Sequence, residues 1–202
     1  ELPFYEPGLD TLLAAEMKTG RLSFTTDFSA VADADVHFIC VGTPQSKDGL
    51  AADLTYVKSS VSAIAPHLKE GALVVGKSTV PVGTAQALRD ILATSAPQAD
   101  LAWNPEFLRE GTAIDDFRYP TRFVVGASSK EEASEFGVLR SDIVGKHYFV
   151  DTSVAEMLKT TENCWHATKV TFANEIERVA SAYKVDAQQV MDLLLKDDKQ
   201  NV

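Results

Sequence analysis

The stretch Val36-His37-Phe38-Ile39-Cys40-Val41-Gly42-Thr43-Pro44 decides the fold class of this chain. A short run of mostly bulky apolar residues ends at a glycine and a proline, which is typical of a strand buried on both faces. Cys40 lies within this run and is expected to be a core residue. Asp53 can then cap a helix whose apolar positions keep helical spacing. A buried strand followed by such a helix is the repeating unit of α/β proteins.

The alternation of strands and helices continues along the next hundred residues. Thr84 is placed to begin a second helix, and Ser129 with Glu132 has the spacing of a capping box. Strands alternating with helices predict right-handed crossovers and a doubly wound, Rossmann-like parallel sheet with helices on both faces. The further strands of this α/β sheet are expected at residues 72–75, 101–103 and 122–125.

The pattern changes after Asp151. From Val154 to Tyr183 apolar residues recur at helical spacing without a proline or glycine, which predicts one helix of about 30 residues and roughly 45 Å. Asp186 with Gln189 has the spacing that begins another helix. We therefore predict an incomplete Rossmann-like domain over residues 1–150 and the start of a helical domain over residues 151–202, with the long helix as the bridge.

The amino-acid composition argues against some classes of binding partner. The 202 residues include 19 basic and 29 acidic side chains, a net charge of −10. Nucleic acids and anionic membranes need clustered positive charge, so neither is an expected partner. No apolar run approaches the roughly 18 residues of a membrane span, and no signal peptide is evident. Two cysteines cannot form a disulfide framework, and no cluster has metal-ligand spacing, so we expect a cytoplasmic protein without a metal.

Three polar segments follow the predicted strands, at residues 42–44, 77–81 and 104–110. In open parallel sheets, ligands bind in the crevice beyond the carboxyl ends of the strands. Small hydroxyl residues and a glycine backbone suit contact with a ribose or a nicotinamide. Each segment taken alone also fits an ordinary turn. Three such segments after three consecutive strands favour a binding site.

Two sets of polar side chains are candidates for chemistry. Glu106 and Glu110 are four residues apart, so a helical turn would bring both carboxylates to one face, where one could act as a base or orient water. The alternative is a solvated, charged turn. Lys159 and Asn163 are also four apart, with His166 extending the row. They fit a solvated helix surface or, if a substrate domain packs there, a lysine that stabilises an oxyanion and an asparagine that holds a hydroxyl.

These segments resemble the UDP-glucose/GDP-mannose 6-dehydrogenase family over nearly the whole chain. Several motifs in one order, at compatible spacings, carry the resemblance. They are Tyr5-Glu6-Pro7-Gly8-Leu9, residues 38–44, Ser78-Thr79-Val80-Pro81-Val82-Gly83-Thr84, Asn104-Pro105-Glu106-Phe107-Leu108-Arg109-Glu110-Gly111, and Ala167-Thr168-Lys169 to Asn174-Glu175-Ile176.

The resemblance implies an NAD-dependent oxidation of a sugar C6 hydroxyl to a carboxylate through two hydride transfers. By position, Thr43, Thr79 and Glu110 resemble NAD-binding residues, and Glu106 with Thr79 resembles the group that orients or activates water. Lys159 and Asn163 resemble the pair that stabilises oxyanions and holds the sugar. A homodimer through the long helix is also implied. The substrate-binding residues implied are Glu106, Phe107, Leu108, Arg109, Lys159 and Asn163.

The nucleotide sugar stays open at this point. Residues 1–4 and 78–84 look more like UDP-glucose enzymes. Residues 165–167, 170–175 and 199–201 look more like GDP-mannose enzymes, which gives a slight preference for GDP-mannose. A rival hypothesis from another class is a non-catalytic nucleotide-binding module with the same fold.

The isolated chain is predicted to show no dehydrogenase activity and to bind NAD poorly. No Gly-x-Gly-x-x-Gly occurs in it, so we expect the first strand and pyrophosphate loop of the family, and its Gly-rich cysteine segment, to lie outside these residues. Contacts to the nicotinamide half alone rarely offset the cost of ordering a flexible dinucleotide. Isothermal titration of the 202-residue chain with NAD is the measurement. Micromolar affinity would contradict the expectation.

Overall fold

The computed structural model describes residues 2–129, 136–137, 140–143 and 145–196. They form two compact units, Glu1–Thr160 and Thr161–Val202. Glu132 lies outside the described residues, and with it the predicted capping box. Within the described ranges no helix is long and apolar enough to cross a membrane.

Strands and helices alternate in the first unit, as the sequence predicts. The strands are β1 Val36–Ile39, β2 Leu73–Gly76, β3 Asp100–Trp103, β4 Arg122–Gly126 and β5 Lys146–Val150. The helices are α1 Leu9–Lys18, α2 Thr55–Ile64, α3 Thr84–Ser95 and α4 Ala113–Arg118, with short 3-10 turns at Phe28–Val31 and Ala65–His67.

The long helix is present. α5, Thr152–Tyr183, has 32 residues, begins in the first unit and ends in the second. α6, Ala187–Leu194, follows it, and the Asp186 carboxylate accepts the Gln189 N–H at 3.1 Å. The capping role of Asp186 is therefore confirmed. At α2 the capping position is Leu54 and not Asp53 as predicted, although the Asp53 carboxylate, one residue earlier, accepts the Thr55 N–H at 2.9 Å.

The sheet has five strands in chain order and is mostly parallel. β1, β2 and β3 are parallel neighbours, and β4 pairs in parallel with β5. β3 and β4 are antiparallel and meet at one residue pair, Trp103 and Gly126. The predicted parallel sheet is therefore interrupted at one position, where β4 runs antiparallel to β3. The segment between these strands contains only the six-residue helix α4, so β4 starts at the end of the sheet where β3 stops.

The two faces of the sheet are covered differently. One packs against α2 and α3 through a cluster that includes Ile39, Val57, Val61, Val74, Leu88, Leu92, Leu101 and Val124. The other places Val75, Phe123 and neighbouring side chains against Phe136 and Ile143. Phe38, on that second face of β1, meets Phe136 edge-on at 6.0 Å and stays 45% exposed. Cys40 is also exposed. Burial of β1 on both faces, and a core role for Cys40, are thus wrong predictions.

Gly76 on β2 leaves room for the large buried side chain of Trp103 on the neighbouring strand β3. Trp103, 1% exposed, is the register partner of Gly76 on the neighbouring strand. A Cβ on Gly76 would overlap the Trp103 indole ring. The ring therefore packs directly on the Gly76 backbone, and no other residue fits there without displacing it.

We predict that Gly76→Ala lowers the free energy of unfolding by about 1–3 kcal/mol, because an added methyl group overpacks a closed core. Urea denaturation of the chain measures it. Gly42→Ala is the matched control, since no heavy atom lies within 4 Å of its added Cβ, and its change is expected within about 0.5 kcal/mol. Equal stability of the two variants would contradict the packing argument.

Candidate functional site

Two of the three polar segments are bonded to each other. β1 and β2 are parallel, so the loops after them leave the same edge of the sheet. The Thr43 hydroxyl donates to the Thr79 carbonyl at 2.6 Å, and the Ser78 hydroxyl donates to the Val41 carbonyl at 2.6 Å. Thr43 and Thr79, predicted separately as NAD-binding residues, are therefore neighbours.

Lys77 joins the third segment to this pair. Its ammonium donates to the Asn104 side-chain oxygen at 2.8 Å and to the Asn104 carbonyl at 3.3 Å. The Asn104 amide in turn donates to the Val124 carbonyl at 2.7 Å. Burial lowers the pKa of Lys77, while the neighbouring Cys40 and Glu106 side chains oppose that shift. No role for Lys77 was predicted from the sequence, although a charged residue directly after a run of buried apolar residues could have indicated one.

The Glu106 segment is a loop, and the helical turn considered for it is wrong. Residues 104–109 have no helical structure. The half-buried Glu106 carboxylate accepts the Leu108 N–H inside the loop. Glu110 is exposed beyond it. The two carboxylates therefore do not share a helix face.

Helix α5 brings Lys159 to this loop. The Lys159 ammonium lies 5.4 Å from the centre of the Phe107 ring, and the Arg122 guanidinium lies 4.7 Å from the same ring. Both distances are within the range of a cation–π contact. Lys159 is half-buried, so it is not a plain solvated surface residue. Asn163 is exposed and belongs to the second unit.

Arg109 is engaged within its own segment. Its guanidinium donates to the Asp116 carboxylate through Nε at 3.0 Å and Nη2 at 2.7 Å, and its backbone N–H donates there at 3.0 Å. These bonds lower the pKa of Asp116 to about 2. Arg109 thus ties the loop to α4, and its predicted contact with substrate remains a prediction.

A buried carboxylate fixes the other end of this loop. Glu6, 5% exposed, accepts the Gly111 N–H at 2.8 Å and the Ala113 N–H at 2.9 Å. The N-terminal segment thereby holds the backbone next to Glu110. The sequence analysis missed this role, because no spacing rule connects residues 105 positions apart.

Polar loops at the carboxyl ends of a mostly parallel sheet are where α/β domains of the doubly wound class bind their ligands. The sequence places the chain within that class. Residues 1–142 match the NAD-binding domain of the UDP-glucose/GDP-mannose dehydrogenase family, and residues 153–202 match its central domain. The chain belongs to this family, and NAD is the cofactor of the domain.

Relatives of both named kinds resemble the chain. It is 42% identical to a GDP-mannose 6-dehydrogenase of Pseudomonas aeruginosa, across 99% of this chain and 48% of that protein. It is 40% identical to a UDP-glucose 6-dehydrogenase of Rhizobium meliloti, across 94% and 45%. The chain thus spans about half the length of the curated relatives it matches.

Solved structures give the same result for the fold. A ternary complex of GDP-mannose dehydrogenase from Pseudomonas aeruginosa superposes with a TM-score of 0.93 at 40% identity, covering 98% of this chain and 48% of that one. The Rossmann-type α/β fold expected from the sequence is confirmed.

The bond from Thr43 to Thr79 is predicted to stabilise the junction of the two loops. Thr43→Val keeps the side-chain shape and removes the donor, which should lower the free energy of unfolding by about 1 kcal/mol. Thr43→Ser retains the hydroxyl and is the matched control. Urea denaturation of both variants is the measurement. An equal loss of the free energy of unfolding in the Val and Ser variants would show that the loop junction is stabilised by something other than this hydrogen bond.

Proposed function

We propose that the intact protein is an NAD-dependent nucleotide-sugar 6-dehydrogenase. It oxidises the C6 hydroxyl of UDP-glucose or GDP-mannose to a carboxylate in two steps. The observation that carries this proposal is the contact of Lys159 with Phe107, which places a cation beside the loop of Glu106. A base or water-orienting carboxylate next to a cation is what oxidation of an alcohol through charged oxygen intermediates requires.

The first unit offers surroundings that suit the nicotinamide half of NAD. Thr43 and Thr79 place hydroxyl groups at the strand ends, and the space around Gly42 is open, with no heavy atom within 4 Å of an added Cβ. Glu110, exposed at the end of the third loop, is the proposed partner of a ribose or amide group. NAD, when bound, accepts the hydride that leaves C6.

Glu106 and Thr79 are the proposed water-orienting residues. The Glu106 carboxylate is half-buried, and its charge acts on the ammonium of Lys77. A carboxylate in such a place can accept a hydrogen bond from water and direct the water oxygen at the reacting carbon. The first oxidation releases the hydroxyl proton to water. In the second oxidation a water molecule adds its oxygen to the carbon, and two protons leave as the carboxylate forms.

Lys159 and Asn163 are the proposed residues for the developing negative charge and for a sugar hydroxyl. An ammonium held by an aromatic ring does not have to reorganise when the oxyanion forms, which makes it effective in the transition state. Phe107, Leu108 and Arg109, with Glu106, are the proposed sugar-contacting segment.

The nucleotide base is the finer part of the proposal. Relatives of both kinds are similar in identity, at 42% and 40%, so the slight preference for GDP-mannose is supported by the sequence of residues 165–167, 170–175 and 199–201. We also propose a homodimer through α5 and a cytoplasmic location. The exposed free thiols of Cys40 and Cys164 suit a reducing compartment.

Lys159→Ala in the intact protein is predicted to lower kcat about 10²–10³-fold with UDP-glucose or GDP-mannose, the usual effect of losing one oxyanion-stabilising contact. Steady-state NADH formation measures it. Lys169→Ala is the matched control, because Lys169 lies on the same helix with its ammonium 5.5 Å from the Trp165 ring centre. The control is expected to keep its kcat.

Two results would count against the proposal. Near-normal turnover of the Lys159 variant would remove that residue from the chemistry. An intact wild-type protein that binds a nucleotide sugar but forms no NADH with either sugar would favour the rival, a non-catalytic nucleotide-binding module.

A further inference from the structure

Glu156 is a deeply buried carboxylate, 2% exposed, in the first turns of α5. One of its oxygens accepts the Gly83 N–H at 2.8 Å and the other accepts the Ala85 N–H at 2.6 Å. These donors stand 73 and 71 residues earlier, at the start of α3. A side chain of one helix therefore caps another.

This contact satisfies the hydrogen-bonding needs of both the start of α3 and the Glu156 carboxylate. The first N–H groups of a helix have no partner inside the helix and carry partial positive charge. The capping position of α3 is Gly83, at φ 95°, which has no side chain to accept them. A buried carboxylate needs compensating donors. The Glu156 carboxylate therefore supplies acceptors for the N–H groups at the start of α3, and these N–H groups supply the donors that the buried carboxylate needs.

The same link joins two parts of the candidate site. The loop that carries Thr79 is tied to Thr43 by the Thr79 carbonyl and ends at Gly83. Lys159 stands three residues after Glu156 on α5, and residues three apart lie on neighbouring positions of one helix face. The Glu156 carboxylate thus holds the end of the Thr79 loop beside the helix turn of Lys159.

Other contacts hold the start of α5 against α3 and against strand β4. An Arg89 nitrogen on α3 lies 3.4 Å from the Thr152 hydroxyl on α5. A Cβ added to Gly126 would come within 2.7 Å of the Ala155 methyl group, so the first turn of α5 lies directly on β4. Among these contacts, the two bonds of Glu156 are the ones that reach the Thr79 loop.

We propose that Glu156 is a positioning residue of the enzyme. By holding Gly83 and Ala85, it fixes the Thr79 loop and Lys159 in one relative placement, and it thereby sets the rate of turnover. This inference rests on the proposed function. A misplacement of about 1 Å at a reacting group costs up to roughly 100-fold in rate.

The first arm of the test uses the 202-residue chain. Glu156→Gln keeps the shape but leaves one oxygen for two N–H groups. Amide hydrogen exchange at Gly83 and Ala85 should become about tenfold faster or more, because local opening costs less. Asp151→Asn is the matched control. The Asp151 carboxylate accepts the Ser153 N–H at 2.8 Å at the start of α5 and should not affect exchange at those two amides.

The second arm uses the intact protein. We expect Glu156→Gln to lower kcat about 10- to 100-fold while KM for the nucleotide sugar changes less than about threefold, since the effect is on transition-state placement and not on binding. Asp151→Asn should keep both constants. If the Gln variant does not give a native circular dichroism spectrum, Glu156→Asp, whose shorter carboxylate keeps its charge, is expected to shift both readouts in the same direction.

The outcomes separate this inference from the proposed function. Unchanged exchange at Gly83 and Ala85 overturns it, as does faster exchange with an unchanged kcat, or an equal loss of kcat in the Asp151 variant. An intact wild-type protein without dehydrogenase activity overturns the proposed function, and with it the effect of Glu156 on turnover. The exchange arm then still decides whether Glu156 holds the loop to α5.

Discussion

The site of this protein depends on the parallel pairing of β1, β2 and β3. Neighbouring parallel strands end at the same edge of a sheet, so the loops that follow them lie close together even when they are far apart in the sequence. The Thr43–Thr79 and Lys77–Asn104 bonds then connect these loops. Because each bond is made by a side chain one to four residues past its strand, the strand ends in the sheet place these side chains close together.

Two buried carboxylates extend this order to the rest of the first unit. Glu6 and Glu156 each accept two backbone N–H groups near the start of a helix, α4 and α3. In both cases the carboxylate comes from a segment far away in the sequence. Such bonds are stabilising because an unsatisfied donor and an uncompensated charge are both costly inside a protein. They also fix the loops that carry Glu110 and Thr79.

Three cationic side chains lie near the loop of Glu106 and Phe107, although the chain as a whole is acidic. The chain has a net charge of −10, yet Lys77, Arg122 and Lys159 lie around the loop of Glu106 and Phe107. Net charge governs solubility and long-range association, whereas a small anionic ligand responds to a few nearby groups. An acidic protein can therefore hold an anionic substrate, provided that tertiary structure collects its cations in one place.

The sequence by itself determined four of the five described strands, β1 to β4, together with the long helix and the family, because hydrophobic periodicity is local and the motifs keep their order along the chain. Strand β5 was not predicted. It also named Thr43, Thr79, Glu106 and Lys159. Only the tertiary structure decided that β4 is antiparallel to β3, that Phe38 stays exposed, and that residues 104–109 form a loop. The same holds for the partners of Lys77 and Glu156. Strand direction and long-range capping depend on which segments meet in space, and the residue pattern within one segment does not predict which other segment it will meet.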